Sequence, residues 1–187
     1  MNTKPLVVFS QEANCFYSTI IFPMNKLLLA FVYTILLSAC ASSAYNGSDK
    51  PVIKVSEASV DLSDSDKVKQ ILNQQYNNWR HVQHSMGGTS KQGIDCSGLV
   101  FQTYKTKFGV DIPRSTEYQS KVGREIQQEQ LRAADLVFFK TGIFKRHVGM
   151  YIDDGEFLHV SSRKGVMISN LEDAYWNNAY WKAQRIQ

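Results

Sequence analysis

The stretch Asp95-Cys96-Ser97-Gly98-Leu99-Val100 constrains this chain more than any other, because it sets a cysteine in the first turn of a helix-forming run. Val100, Tyr104 and Phe108 recur every four residues, and Leu99 and Phe101 widen that apolar face. This spacing predicts a helix over 96–108, with Gly109 placed as its C-terminal cap. An earlier helix over 65–78 is expected from Val68, Ile71, Leu72 and Gln75/Tyr76, with Ser65 or Asp66 as its cap. Gly87-Gly88 and Gly93 mark a loop over 81–94. A short third helix over 115–121 can follow Pro113.

From Asp135 onward the pattern changes. Leu136-Val137-Phe138-Phe139 is a continuous apolar run, and Val148, Met150 and Ile152 alternate with His147, Gly149 and Tyr151. Strands are expected at 136–139, 147–152, 157–160, 166–169 and 180–186, with a short helical insert at 172–176. Helices first and strands later imply an α+β domain, with N-terminal helices packed on an antiparallel β-sheet. The 187 residues, 43% hydrophobic, suffice for one such domain, expected as a monomer. The formal charge of +4 is scattered, and no basic run resembles a nucleic-acid arm, so no nucleic acid partner is expected.

The first forty residues read as a targeting region. Met24-Asn25-Lys26 gives a short positive start and residues 27–37 an apolar run, followed by Leu37-Ser38-Ala39-Cys40. This is a signal-peptide layout with a small-residue cleavage site; the alternative, a membrane anchor, needs a longer apolar run. The last four residues resemble a bacterial lipobox, whose cysteine becomes the lipidated first residue. Residues 1–23 do not fit a signal peptide and read as an extension ahead of a start at Met24. The chain thus divides into a signal segment (1–39), a lipidated tether (40–64) and a domain (65–187). Cys15 leaves with the signal segment and Cys40 carries the lipid, so Cys96 has no disulfide partner. In an oxidising exported compartment a lone thiol is either reactive or buried and inert.

Asp95 is a natural helix cap, which puts Cys96 where the helix dipole and free N–H groups favour a thiolate and can hold an oxyanion. His147 and His159 lie on successive strands. Reading Asp153-Asp154-Gly155 as a three-residue loop pairs Ile152 with Glu156 and Gly149 with His159, which makes the two histidines diagonal neighbours on one face. Gly149 would then leave room for the imidazole. A two-residue Asp154-Gly155 turn would send them to opposite faces. On the first register, His147 is the base for Cys96 and His159 orients it. A Cys-His-His set can also bind zinc, and His81 and His84 can be a ligand pair or solvated loop residues.

Together these residues resemble the NlpC-type cell-wall peptidases, a papain-like family of cysteine endopeptidases. The motifs are Gly87-Gly88, Gly93-Ile94-Asp95-Cys96-Ser97-Gly98, Pro113-Arg114-Ser115-Thr116, Asp135-Leu136-Val137-Phe138-Phe139, Arg146-His147-Val148-Gly149-Met150-Tyr151-Ile152 and Phe157-Leu158-His159. The resemblance implies a papain-like fold and cleavage of peptidoglycan stem peptides next to diaminopimelate, with no metal or cofactor. It implies Cys96, His147 and His159 as the catalytic set, and Asp95, Ser97 and Ser115 as residues that help hold substrate. Family members commonly carry tyrosine where this chain has His84, which is expected to take over its contact with substrate. Together with the lipobox, the resemblance points to the lipoprotein branch, tied to the membrane through Cys40 in the cell envelope, on the outer membrane facing the periplasm. The alternative is a catalytically silent envelope lipoprotein that binds peptidoglycan.

Overall fold

Asp64, rather than Ser65 or Asp66, caps the first helix: its carboxylate accepts from the Lys67 amide at 3.1 Å. That helix, α1 (Ser65–Trp79), buries Val68, Leu72 and Gln75, one turn apart along one stripe. Gln75 is satisfied inside, donating to the Thr103 hydroxyl at 3.0 Å. The computed structural model describes residues 53–56 and 59–186. The expected signal segment, the 1–23 extension, Cys40 and the first part of the tether lie outside the described residues. Within the segment read as tether, Ile53, Val60 and Leu62 pack against the core.

In chain order the remaining elements begin with β1 (Lys54–Val55), β2 (Thr89–Ser90), β3 (Gly93–Ile94) and α2 (Cys96–Thr103). A wider π-helical turn, Tyr104–Phe108, prolongs α2 and ends at Gly109 in the left-handed conformation. Next come β4 (Val110–Asp111), α3 (Thr116–Gln119), β5 (Arg124–Ile126), β6 (Leu136–Lys140), β7 (Arg146–Asp153), β8 (Glu156–Ser161) and β9 (Gly165–Asn170). The chain closes with α4 (Ala174–Ala179) and β10 (Tyr180–Arg185). The expected loop over 81–94 therefore contains a small hairpin, β2 against β3. The six long strands form one antiparallel sheet in the order β5-β10-β6-β7-β8-β9. Among the described residues, no helix is long and apolar enough to cross a membrane.

Strand alternation gives the sheet two apolar faces. Leu136, Phe138, Val148, Met150, Leu158 and Val160 meet α1 and α2 in the larger core. Val137, Phe139, Phe157 and Ala183 face the other way, where Trp176 of α4 packs on them.

The β7–β8 hairpin departs from the expected three-residue loop. Asp153 pairs with Glu156 across a two-residue Asp154-Gly155 turn, whose φ values of 45° and 78° are those of a type I′ turn. A bulge between Tyr151 and Asp153 then shifts the register, so that Tyr151 faces Phe157 and Met150 faces Leu158. The bulge absorbs the one residue that the shorter turn would have displaced. His147 and His159 therefore share a face although the turn is the short one.

Gly149 differs from expectation as well. The space above it holds the Phe157 ring and not an imidazole: a Cβ at 149 would lie 2.6 Å from Phe157 Cδ2 and 3.1 Å from the Leu158 carbonyl oxygen. Gly149→Ala should cost about 1–3 kcal/mol of stability, the usual penalty of overpacking a filled core. Urea unfolding of the two proteins at one pH checks this; an unchanged midpoint would show that the ring can move aside.

Candidate active site

The site is anchored below the reactive thiol, at Asp95. Its carboxylate accepts from the amides of Gly98 and Gly87, both at 2.7 Å, and from the Ser97 hydroxyl at 3.1 Å. Arg114 grips both oxygens, at 2.9 and 3.1 Å, and also donates to Ser97 Oγ and to the Gly88 carbonyl. Burial alone would raise the Asp95 pKa, but Arg114 and the two amides outweigh it and hold the carboxyl below its usual range. Asp95 and Ser97 are buried, and their side chains are engaged within the chain. Gly98 is required here, because a Cβ would run into the Gly88 carbonyl and the Arg114 guanidinium.

This network fixes the start of α2 and thereby Cys96, whose thiol is free. The sulfur lies 3.8 Å from the Thr116 hydroxyl, and the backbone amides of Val148 and Ser97 are near enough to pull its pKa down. The thiol thus meets β7 at its backbone, one residue from His147. Burial pushes the thiol up in pKa, more than those hydrogen bonds pull it down.

On β7 and β8 the two imidazoles meet directly. His147 Nε2 and His159 Nδ1 are 3.0 Å apart, and His159 Nε2 lies 2.9 Å from Ser169 Oγ. His147 Nδ1 is therefore the ring nitrogen left for the thiol. If Nδ1 is to accept a proton, Nε2 must carry the hydrogen and donate to His159 Nδ1. His159 then holds its own hydrogen on Nε2, directed at Ser169. With Nδ1 of His147 as the acceptor, the chain of contacts thus implies one tautomer for each ring.

The rings are held by aromatic contacts. Trp176 stacks on His147 at 5.3 Å between centroids and meets His159 edge-on at 4.9 Å. Phe157 lies 5.0 Å from His159 and Phe139 6.1 Å from His147. Burial drives the pKa of His147 down to about 4, with nearby His84 adding to the shift. Burial drives His159 to about 3, with His147 adding to it. A thiol raised and an imidazole lowered leave the resting pair neutral. This differs from the thiolate expected at the helix start, because desolvation outweighs the helix terminus.

The other residues singled out from sequence fall in different places. His84 bridges Ile94 and is half-buried close enough to His147 to act on it electrostatically. His81 is exposed, and so is Ser115 at the start of α3. The neighbour of Ser115, Thr116, is the one that reaches the sulfur. Thr116, Arg114, Ser169 and Trp176 were missed as functional residues. The β8–β9 register could have revealed Ser169: Phe157 faces Ser169 and His159 faces Met167, so Ser169 is diagonal to His159 on its face. Among the described residues, no group of three His, Cys, Asp or Glu side chains is arranged to hold a metal ion.

A half-buried thiol at a helix start near a relay of two histidines, on helices packed against an antiparallel sheet, defines a papain-like cysteine hydrolase. The model of the NlpC/P60 family matches residues 81–185. The chain is 37% identical over 168 residues to the murein DD-endopeptidase MepS/murein LD-carboxypeptidase of Escherichia coli K12, covering 84% of this chain and 89% of that protein. It is 42% identical over 127 residues to the probable endopeptidase NlpC of the same organism, covering 67% of this chain and 82% of that one. A crystal structure of an NlpC/P60 family protein from Bacillus cereus superposes with a TM-score of 0.57 at 32% identity, covering 63% of this chain and 39% of that one. The chain belongs to the NlpC/P60 family and is a cysteine-type peptidase.

The two lowered histidines link stability to pH. Each binds a proton near its ordinary value of 6.5 only in the unfolded chain. The native state therefore has their full contribution above pH 6.5 and loses it progressively as pH falls, down to about 4 for His147 and about 3 for His159. At pH 5 the loss from His159 should be about 2 kcal/mol. Urea midpoints measured from pH 7.5 to 5 should fall, and less steeply in His159→Gln. A flat profile would mean that the imidazoles are not held neutral.

Proposed function

We propose that this chain is a lipid-anchored peptidoglycan endopeptidase that hydrolyses stem-peptide or cross-link amide bonds next to diaminopimelate. The observation that carries the reading is the run His147–His159–Ser169, which engages Nε2 of His147 and leaves its Nδ1 outside the run, on the residue next to the Val148 amide that acts on Cys96. The substrate class is supported by relatives named as murein endopeptidases.

The chemistry follows from the neutral resting pair. The Cys96 proton passes to His147 Nδ1 as the sulfur attacks the scissile carbonyl carbon. The free N–H at the start of α2 and the His84 ring stabilise the resulting oxyanion. His147 then gives its proton to the leaving amine, the C–N bond breaks, and a thioester remains on Cys96. A water molecule, deprotonated by His147, attacks the thioester and releases a carboxylic acid product and the thiol. His159 and Ser169 keep Nδ1 of His147 bare and aimed, and His159 spreads the imidazolium charge that appears in each transfer. Forming that charge in an aromatic surround is costly, so proton transfer is coupled to the negative charge developing on the substrate.

Sacculi digested with wild type and with Cys96→Ala test the reading, with fragments identified by mass. The wild type should release products ending next to diaminopimelate, and the variant should lose several orders of magnitude in rate. Substantial cleavage by a pure Cys96→Ala protein rejects the nucleophile. Unchanged sacculi with the wild type favour the silent, binding-only lipoprotein.

The anchor rests on the lipobox-like Leu37-Ser38-Ala39-Cys40, which would place the enzyme in the cell envelope, on the outer membrane facing the periplasm. Cys40→Ala should move the protein from the membrane to the soluble fraction of lysed cells. Continued partition with membranes would overturn the lipid attachment.

A further inference from the structure

One surface beside the thiol is left unexplained by the catalytic groups. Trp181 sits in β10 at a bulge: Tyr180 pairs with Phe139 and Lys182 with Phe138, which leaves Trp181 as the extra residue. The bulge turns the indole onto the helix-side face, where it meets the edge of Phe138 at 6.5 Å. Three cations surround the ring. Lys182 Nζ, Lys140 Nζ and Arg146 Cζ lie 5.1, 5.2 and 5.5 Å from its centroid. Register puts all of them on one face, since Lys140 pairs with Arg146 and Phe138 with Val148.

This is also the face of the thiol. Cys96 opens α2, which packs on this face, and the Val148 amide is near enough to its sulfur to act on it; Arg146 is two residues up the same strand from Val148, about 7 Å away by strand rise. Lys182 has a distant carboxylate partner, Glu125 at 3.8 Å. Lys140 and Arg146 form no ion pair among the described residues; Arg146 donates only to the carbonyls of Gly142 and Lys145. Cation–π contact holds three like charges around one indole, and beyond the carbonyls that Arg146 Nη1 serves and the Glu125 partner of Lys182 it leaves N–H donors to face an anion.

We propose that Trp181, Lys140, Arg146 and Lys182 form a subsite for a carboxylate-bearing residue of the substrate, two or three positions from the scissile amide. The proposal rests on the wall-peptidase reading and adds to it where substrate charge is read. An extended peptide advances about 3.3 Å per residue, so a chain with its reacting carbonyl at Cys96 brings a carboxylate to this patch after two or three residues. The indole offers an apolar floor to the peptide while the cations take its charge, chiefly Arg146 through its planar fork.

The test uses muropeptides with stem carboxylates either free or amidated. Their KM is measured with the wild type, and their binding by titration into the inert Cys96→Ala protein. The free acids should bind about tenfold more tightly. Lys140→Gln combined with Arg146→Gln should bring that ratio near one, and Lys140→Arg combined with Arg146→Lys should largely restore it. Cleavage of both forms without preference overturns the subsite and leaves the wall-peptidase reading intact. A preference that survives the double glutamine variant also overturns it. Cleavage of neither form by the wild type overturns both readings.

Discussion

The buried Asp95 carboxylate, gripped by Arg114, is the interaction on which the rest of the site depends. A carboxylate this far from water is tolerable only when every lone pair is taken, and here two amides, a hydroxyl and a guanidinium take them. Those donors come from the start of α2, the Gly87-Gly88 loop and the segment after Pro113. One charge thus ties three distant stretches of chain together. The cap sets where α2 begins, and hence where the Cys96 sulfur stands. Arg114, held in the same network, delivers the neighbouring Thr116 to that sulfur.

Electrostatics then set how the site waits. Desolvation opposes charge on both the thiol and the base, and the two pKa values move apart in the directions that favour the uncharged pair. Trp176, Phe139 and Phe157 supply that dry surround and also hold the ring planes. The same apolar packing that positions the base makes its protonation costly. Ser169 offsets this by giving the outer imidazole a polar partner, so the relay ends on a hydroxyl where a carboxylate would bind the base proton more strongly.

Two bulges perform comparable tasks in the sheet. The one near Ile152 returns His147 and His159 to a common face after a short turn. The one at Trp181 moves an indole to the face that the thiol uses. In both, one extra residue reverses which side of the sheet a side chain reaches, a consequence of the two-residue period of strands.

Local pattern was enough for the elements and for the reacting groups. The 3.6-residue stripe of α1, the run from Cys96 to Gly109, the alternation of β7 and the Asp95 cap are all short-range features, and each is legible because neighbouring residues decide it. The same holds for Cys96, His147 and His159, whose chemistry is intrinsic to their side chains. What the chain pattern could not decide was long-range or subject to compensation. The type I′ turn and its bulge give the same register at Gly149 and His159 as a longer loop without a bulge would, so the pattern there is degenerate. Gly149 makes room for Phe157 because the pairing of faces, and not spacing alone, determines which ring fills a gap. Thr116, Arg114, Ser169 and Trp176 reach the site from segments 18 to 80 residues from Cys96 in sequence, which only the folded sheet brings together. The neutral resting state, too, belongs to the tertiary structure, because burial, which no local motif encodes, outweighs the helix terminus that the sequence displays.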